Sequence, residues 1–139
     1  MARTTFNGPV ASQNGFISGH QVTTANAINA TATATAAQVA SGYITSTSVA
    51  GTNITLPTGT DLGTFLGATQ GTTLDLYIDN TAGASSVAVV ANTNAVLSTA
   101  GVDSAGSFGD LSVASGATGI GRFTIMFSSP TAYVFTRTA

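Results

Sequence analysis

The chain has 139 residues and a formal net charge of −2, and only 6% of its residues are charged, against roughly 25% in ordinary soluble domains. A hydrophobic fraction of 43% indicates a folded core rather than disorder, and the length suits one domain, or one domain with an arm. Three scattered arginines and a net charge of −2 argue against a nucleic-acid partner, and the absence of cysteine excludes disulfides, a thiolate nucleophile and a zinc–thiolate site.

The charged side chains are Arg3, Asp61, Asp75, Asp79, Asp103, Asp110, Arg122 and Arg137, with no Lys and no Glu. Thr, Ser, Asn and backbone amides must therefore wet the surface. Such a surface carries little long-range repulsion and suits a chain that works in contact with other copies. The alternative is a monomer kept soluble by its hydroxyls. Residues Met1 to Phe16 contain one cation and no apolar run, which is not the pattern of a secretory signal, and no stretch has the length and apolarity of a membrane span. Synthesis in the cytoplasm is the expectation, with no membrane partner.

Residues 1–21 read as an extended N-terminal arm. Asn7-Gly8-Pro9, Asn14-Gly15 and Ser18-Gly19 are turn signals, and Phe6, Val10, Phe16 and Ile17 are separated apolar anchors with no sustained period. A frayed terminus is the bland alternative. Residues 22–139 read as one β-rich domain. Within it, Ala30 to Ala36 alternates Ala with Thr and predicts a strand; a helix competes because Ala favours one. The run Ala36-Ala37-Gln38-Val39-Ala40, ending before Gly42, reads as one helical turn with a glycine cap.

Strand signals then follow at short spacing: Tyr43–Val49, Asn53–Leu56, Thr72–Asn80, Ser86–Val90, Gly121–Ser128 and Tyr133–Thr138. In the third, Leu74, Leu76 and Ile78 share one face, and Asp75, Tyr77 and Asp79 share the other. In the fifth, Phe123, Ile125 and Phe127 point inward, and the sixth pairs with it across Ser129-Pro130-Thr131. One helix interrupts them: Leu62, Phe65 and Leu66 have helical spacing, Thr60 or Asp61 caps its start and Gly67 its end. The fold expected is all-β, a small sandwich or barrel with one short helix and an extended arm.

The titratable inventory offers no catalytic constellation. The single histidine, His20, sits beside Gly19 in the arm, away from any rigid Ser–Asp pair, and no Gly-x-Ser-x-Gly elbow occurs. Asp75 and Asp79 lie about 13 Å apart along one strand, too far to share a cation or to act as a glycosidase pair. They read as solvated strand-edge charges. Asp103 and Asp110 flank a Gly/Ser loop that offers only a weak cation signal. Gly116-Ala117-Thr118-Gly119-Ile120-Gly121 lacks the Gly-Lys-Ser/Thr ending of a phosphate loop and precedes a strand, so it reads as a turn. Asn29-Ala30-Thr31 and Asn53-Ile54-Thr55 match a glycosylation acceptor by chance. The expectation is a protein that is not an enzyme and uses no cofactor or metal.

The opening Ala2-Arg3-Thr4-Thr5-Phe6-Asn7-Gly8-Pro9-Val10, followed by Asn14-Gly15-Phe16, resembles the start of many virion structural proteins of tailed bacteriophages. Ile44-Thr45-Ser46-Thr47, Asn53-Ile54-Thr55-Leu56-Pro57-Thr58 and Asp75-Leu76-Tyr77-Ile78-Asp79-Asn80-Thr81-Ala82-Gly83 are similar in order and character to head decoration modules. The resemblance covers most of the chain through loose strand and turn patterns, and the Ala/Thr-rich stretch departs from it. It implies a head decoration, or cement, protein that stabilises a phage shell from its outer surface. Its partners would be the major capsid protein and copies of itself, most often as a homotrimer. The arm, through Arg3, Phe6, Val10, Phe16 and Ile17, would contact the capsid. The rival reading is a fibre or head-fibre knob that binds a host-surface glycan, with Tyr77 beside Asp75 and Asp79 as its patch.

Trypsin can cut only after Arg3, Arg122 and Arg137, and Arg122 lies at the start of a strand expected to be paired. Limited proteolysis of the native protein is expected to leave the bond after Arg122 intact, and mass spectrometry of the digest checks this. Rapid cutting there would mean that the segment is not a strand.

Overall fold

Alternation along the strands decides which side chains are withdrawn from water. Ile120–Ser129 buries Gly121, Phe123, Ile125 and Phe127 while the residues between them face outward, as period-2 side-chain placement requires. The computed structural model describes residues 26–97 and 111–139. Among these, the elements are β1 (Ala32–Thr33), α1 (Ala36–Ala40), β2 (Tyr43–Thr45), β3 (Thr52–Thr55), α2 (Gly59–Leu66), β4 (Thr73–Asp79), β5 (Val87–Val90), β6 (Ala95–Leu97), β7 (Ser112–Val113), β8 (Ile120–Ser129) and β9 (Ala132–Arg137), with a 3-10 turn at Gly116–Thr118 before β8.

The strands form two mixed sheets. One is four-stranded in the order β1-β3-β5-β7, and the other is five-stranded in the order β2-β4-β8-β9-β6. From β1 to β8 each successive strand lies in the opposite sheet. Strands β1, β3 and β5 run parallel, as do β2 and β4. The chain therefore descends the smaller sheet, crosses, and climbs the larger one three times, through β1-α1-β2, β3-α2-β4 and β5-β6. The last two strands break this repeat. Strand β8 pairs antiparallel with β4, β9 pairs antiparallel with β8, and β6 pairs parallel with the far side of β9. The β8–β9 hairpin is thus wedged between the second and third ascending strands.

One apolar core receives residues from both sheets: Ile54, Val87, Val89 and Val113 from the smaller, and Ile44, Leu76, Ile78, Phe123, Ile125, Phe127, Tyr133 and Phe135 from the larger. Polar cross-ties sit at its margins. The buried Tyr133 phenol donates to the Pro57 carbonyl at 2.7 Å, and burial pushes its pKa far above the ordinary value. Its ring lies 5.4 Å from that of Phe127. Asn92 donates to the Leu56 carbonyl at 2.9 Å.

Among the described residues, side chains rather than another strand close the edge strand β7. Val89 N–H bonds the Leu111 carbonyl, so Ser112 and Ala114 turn their carbonyls away from β5. Arg137 reaches the first at 2.6 Å and Asn80 the second at 3.0 Å. Both caps come from the larger sheet, and an edge so capped is a poor template for further pairing.

Helix α1 falls where the run Ala36–Ala40 predicts a helical turn, while the strand expected over Ala30–Ala36 shrinks to the two residues of β1. Thr35 accepts from Gln38 N–H at 3.2 Å, and Gln38 Oε1 accepts from Thr35 N–H at 2.8 Å. This capping box, followed by helix-favouring Ala36 and Ala37, outweighs the alternation. Gly42 at φ +75° ends the turn. Helix α2 is capped by Thr58 rather than by Thr60 or Asp61, and ends at left-handed Gly67 as expected. Phe65 is partly exposed rather than inward. Neither sheet closes, so there is no barrel. The segment after Thr45 leaves the sheet four residues earlier than its β-branched composition implies. β6 and β7 are too short for their period to be read.

Helix α2 rests on the β8–β9 turn through Gly59 and Gly63. A Cβ at Gly63 would meet the Pro130 carbonyl, and one at Gly59 would meet the carbonyls of Thr131 and Asn94. Gly63→Ala gains about 1 kcal/mol of helix propensity but forces backbone apart at an overpacking cost of about 1–3 kcal/mol. Urea unfolding is expected to show a net loss of stability; an unchanged or raised midpoint would contradict the close approach.

Candidate functional site

Strand register places Tyr43, Tyr77, Asp75, Asp79 and Arg122 on the outer face of the five-stranded sheet. Tyr43 stands opposite Tyr77, and Tyr77 opposite Arg122. One row away Asp75 faces Thr124, and in the other direction Asp79 lies between Thr45 and Ile120. A further row carries Thr73, Met126, Val134 and Val96. Tyr43, Tyr77, Met126, Val96 and Ile120 are all exposed.

The charges on this face are held in place locally. Arg122 Nη2 donates to Asp75 Oδ2 at 2.7 Å, and Thr124 Oγ1 to Asp75 Oδ1 at 2.8 Å. Tyr43 Oη donates to Asp79 Oδ2, while the Thr81 hydroxyl and N–H donate to Asp79 Oδ1 at 2.7 and 3.0 Å. The bond from Arg122, then that from Thr124, holds the Asp75 carboxyl below its usual range. The Tyr43 phenol, then Thr81, does the same for Asp79, and the Tyr43 phenol is raised in return. The guanidinium of Arg122 also lies 6.0 Å from the Tyr77 ring centre, and its buried Nε has no partner among the described residues. The Asp75–Arg122 pair is solvated, with 36% and 43% of the side chains exposed, so it orients groups more than it stabilises the fold.

A second feature is the end of the molecule where residues 46–51, 80–86 and 114–119 meet. Ser46, Ser48 and Thr52 are buried. Ser48 Oγ donates to the Ala50 carbonyl at 2.6 Å and accepts from Thr52 Oγ1, while its carbonyl accepts from Ala84 and Ser85 N–H at 3.0 and 3.3 Å. Asn80 N–H bonds the Gly119 carbonyl at 2.6 Å. At the tip of this cross-linked group Val49 is 85% exposed.

Arg3, Phe6, Val10, Phe16 and Ile17 lie outside the described residues, as do His20, Asp103 and Asp110. Asp75 and Asp79 share the outer face as alternation predicts, but β4 is flanked by β2 and β8. They are therefore not edge charges; each has its own partners. Tyr43 and Arg122 were not legible as members of this cluster, because only the pairing of β2 and β8 with β4 brings them in. Among the described residues no three His, Cys, Asp or Glu side chains could hold a metal, and no helix is long and apolar enough to cross a membrane. Comparison with known proteins adds no relative: no family model, no curated protein and no solved structure matches the chain.

The shifted groups set a pH dependence. Asp75 and Asp79 titrate lower in the folded chain than in the unfolded one, so their contribution is present above the unfolded carboxylate value of about 3.9 and disappears as pH falls through the lower folded values. Tyr43 is raised, so its contribution is complete below about pH 10 and is lost as pH rises through its higher folded value. Thermal unfolding is expected to show a plateau between these limits with a decline on each side, and Asp79→Asn is expected to flatten the acid limb. An unaltered acid limb would show that Asp79 is not held as described.

Proposed function

We propose that the chain is a virion structural protein of a tailed bacteriophage, a head decoration protein that binds the outer capsid surface as a homotrimer and stabilises the shell. Its partners are the major capsid protein and its own copies, and it acts by contact rather than catalysis. The two sheets, which share one core, are read as the layers of a small β-sandwich that carries this contact.

The observation that carries the reading is the cross-linked loop end. Its backbone is held by buried hydroxyls and Asn80, and it displays Val49 with 85% of its surface exposed. A rigid loop loses little entropy on docking, and burying one valine contributes about 1.5–3 kcal/mol. With no Lys or Glu in the chain and an apolar side chain at its tip, such a contact is screened little by salt. Residues 1–21, with Phe6 and Phe16, supply further apolar anchors in this reading. The fibre-knob reading uses the patch of Tyr77, Asp75 and Asp79 instead and differs in copy number.

Purified particles are expected to hold hundreds of copies, as trimers, retained across a wide range of salt. Val49→Asp is expected to fold normally and to weaken binding to undecorated heads by roughly tenfold or more, equivalent to about 1.4 kcal/mol. Densitometry against the major capsid protein, a particle reconstruction and a binding titration measure these. A few copies per particle, or release at moderate salt without denaturant, would overturn the proposal.

A further inference from the structure

We propose that Tyr43, Tyr77 and Arg122, with Asp75 and Asp79 on either side, form a binding site for a neutral saccharide on the outer face of the five-stranded sheet. The site is separate from Val49 and goes beyond capsid decoration.

The first reason is the posture of the tyrosines. Tyr43 is opposite Tyr77 in register, yet its hydroxyl bonds Asp79, two residues further along β4. A ring that reaches a diagonal neighbour, about 7–8 Å away between strands, leans across the sheet instead of standing off it. Tyr43 keeps 40% of its surface exposed. Arg122 makes the same diagonal movement in the opposite direction, from its place opposite Tyr77 to the carboxylate of Asp75. Tyr77 is left between the two, 40% exposed, and its hydroxyl bonds none of the described residues.

The second reason is unused hydrogen-bonding capacity. A carboxylate offers about four acceptor sites and a guanidinium five donors. Asp75 uses two acceptors, on Arg122 and Thr124, and Asp79 uses three, on Tyr43 and twice on Thr81. Arg122 spends one Nη2 donor on Asp75, which leaves the outward edge of its guanidinium for a ligand. Adjacent hydroxyls of a sugar, each both donor and acceptor, match an ordered row of carboxylate, guanidinium and phenol. The C–H face of a pyranose matches the electron-rich face of a tyrosine ring.

Charge narrows the class further. Two aspartates and one arginine sum to −1 over these five residues, so phosphates and uronic acids are repelled while an uncharged ligand is not. A flat protein partner would cover the polar groups without using them, at the cost of their desolvation.

The chain has three tyrosines and no tryptophan, so tyrosine emission reports on Tyr43 and Tyr77 against the buried Tyr133. Emission of the full chain is titrated with glucose, galactose, mannose and N-acetylglucosamine, with glucuronic acid as the acidic comparison. At least one neutral sugar is expected to saturate the change with Kd on the order of 1 mM, and glucuronic acid to bind more weakly. Tyr77→Thr, a strand-compatible change, and Arg122→Gln are each expected to weaken that binding by roughly tenfold, with thermal unfolding confirming the fold. Tyr43→Phe keeps the ring and is the milder variant if either of these fails to fold. No saturable response to any of the four sugars would overturn the proposal. So would binding that Tyr77→Thr leaves unchanged, or self-association in sedimentation that Tyr77→Thr abolishes, which would assign the face to a second copy. Binding of Tyr77→Thr to undecorated heads is unaffected on this inference, so its failure and that of the decoration reading are told apart.

Discussion

Asn80 has no exposed surface. Its side-chain nitrogen lies 2.8 Å from the Ser85 carbonyl, 3.0 Å from that of Ala114 and 3.3 Å from that of Val113. Its own backbone bonds Gly119 and Gly83. One side chain at the end of β4 in the larger sheet therefore satisfies carbonyls at the end of β7 in the smaller one, and it holds two of the three loops that join them. A buried carbonyl deprived of its donor costs about 1–3 kcal/mol, so the set of bonds acts as a unit. Among the described residues its Oδ1 has no partner, and a Cβ on Gly83 would strike it.

That tie matters because the chain changes sheet at nearly every strand. Each crossing threatens to leave backbone groups unpaired at the margins of the core. The molecule answers with single side chains: Tyr133 to Pro57, Asn92 to Leu56, Arg137 to Ser112 and Asn80 to Ala114. Three of the four are neutral. A sequence with almost no charge can thus hold two sheets together, provided its few amide, phenol and hydroxyl groups fall at the crossings. On the outer face of the larger sheet, Arg122 orients Asp75, and Tyr43 with Thr81 orients Asp79, beside Tyr77.

The two surfaces that follow differ in chemistry. The loop end is stiffened from below by buried hydroxyls and ends in an apolar tip, as suits docking on another protein. The sheet face is ringed by oriented polar groups with spare bonding capacity, as suits a small hydroxylated ligand. Both are assembled from segments far apart in sequence, and both depend on strand register, since a slip of one residue would turn Tyr77, Asp75 and Arg122 into the core.

What the sequence determined by itself is the β character of the chain, the inward sets Leu76–Ile78 and Phe123–Ile125–Phe127, the β8–β9 hairpin, and the glycine end of α2. These are local signals of period 2, turn chemistry and capping, legible wherever the segment is long enough to show a period. Helix α1 was legible too, in the run Ala36–Ala40 ahead of Gly42, although the Ala/Thr alternation before it competes. The parallel pairing of β2 with β4, the insertion of β8–β9 between β4 and β6, and hence the meeting of Tyr43, Tyr77 and Arg122, were decided only by the tertiary structure. Nothing local encodes them, because register between distant strands is set by how all the apolar faces share one core and by which side chains reach the carbonyls that the crossings leave exposed.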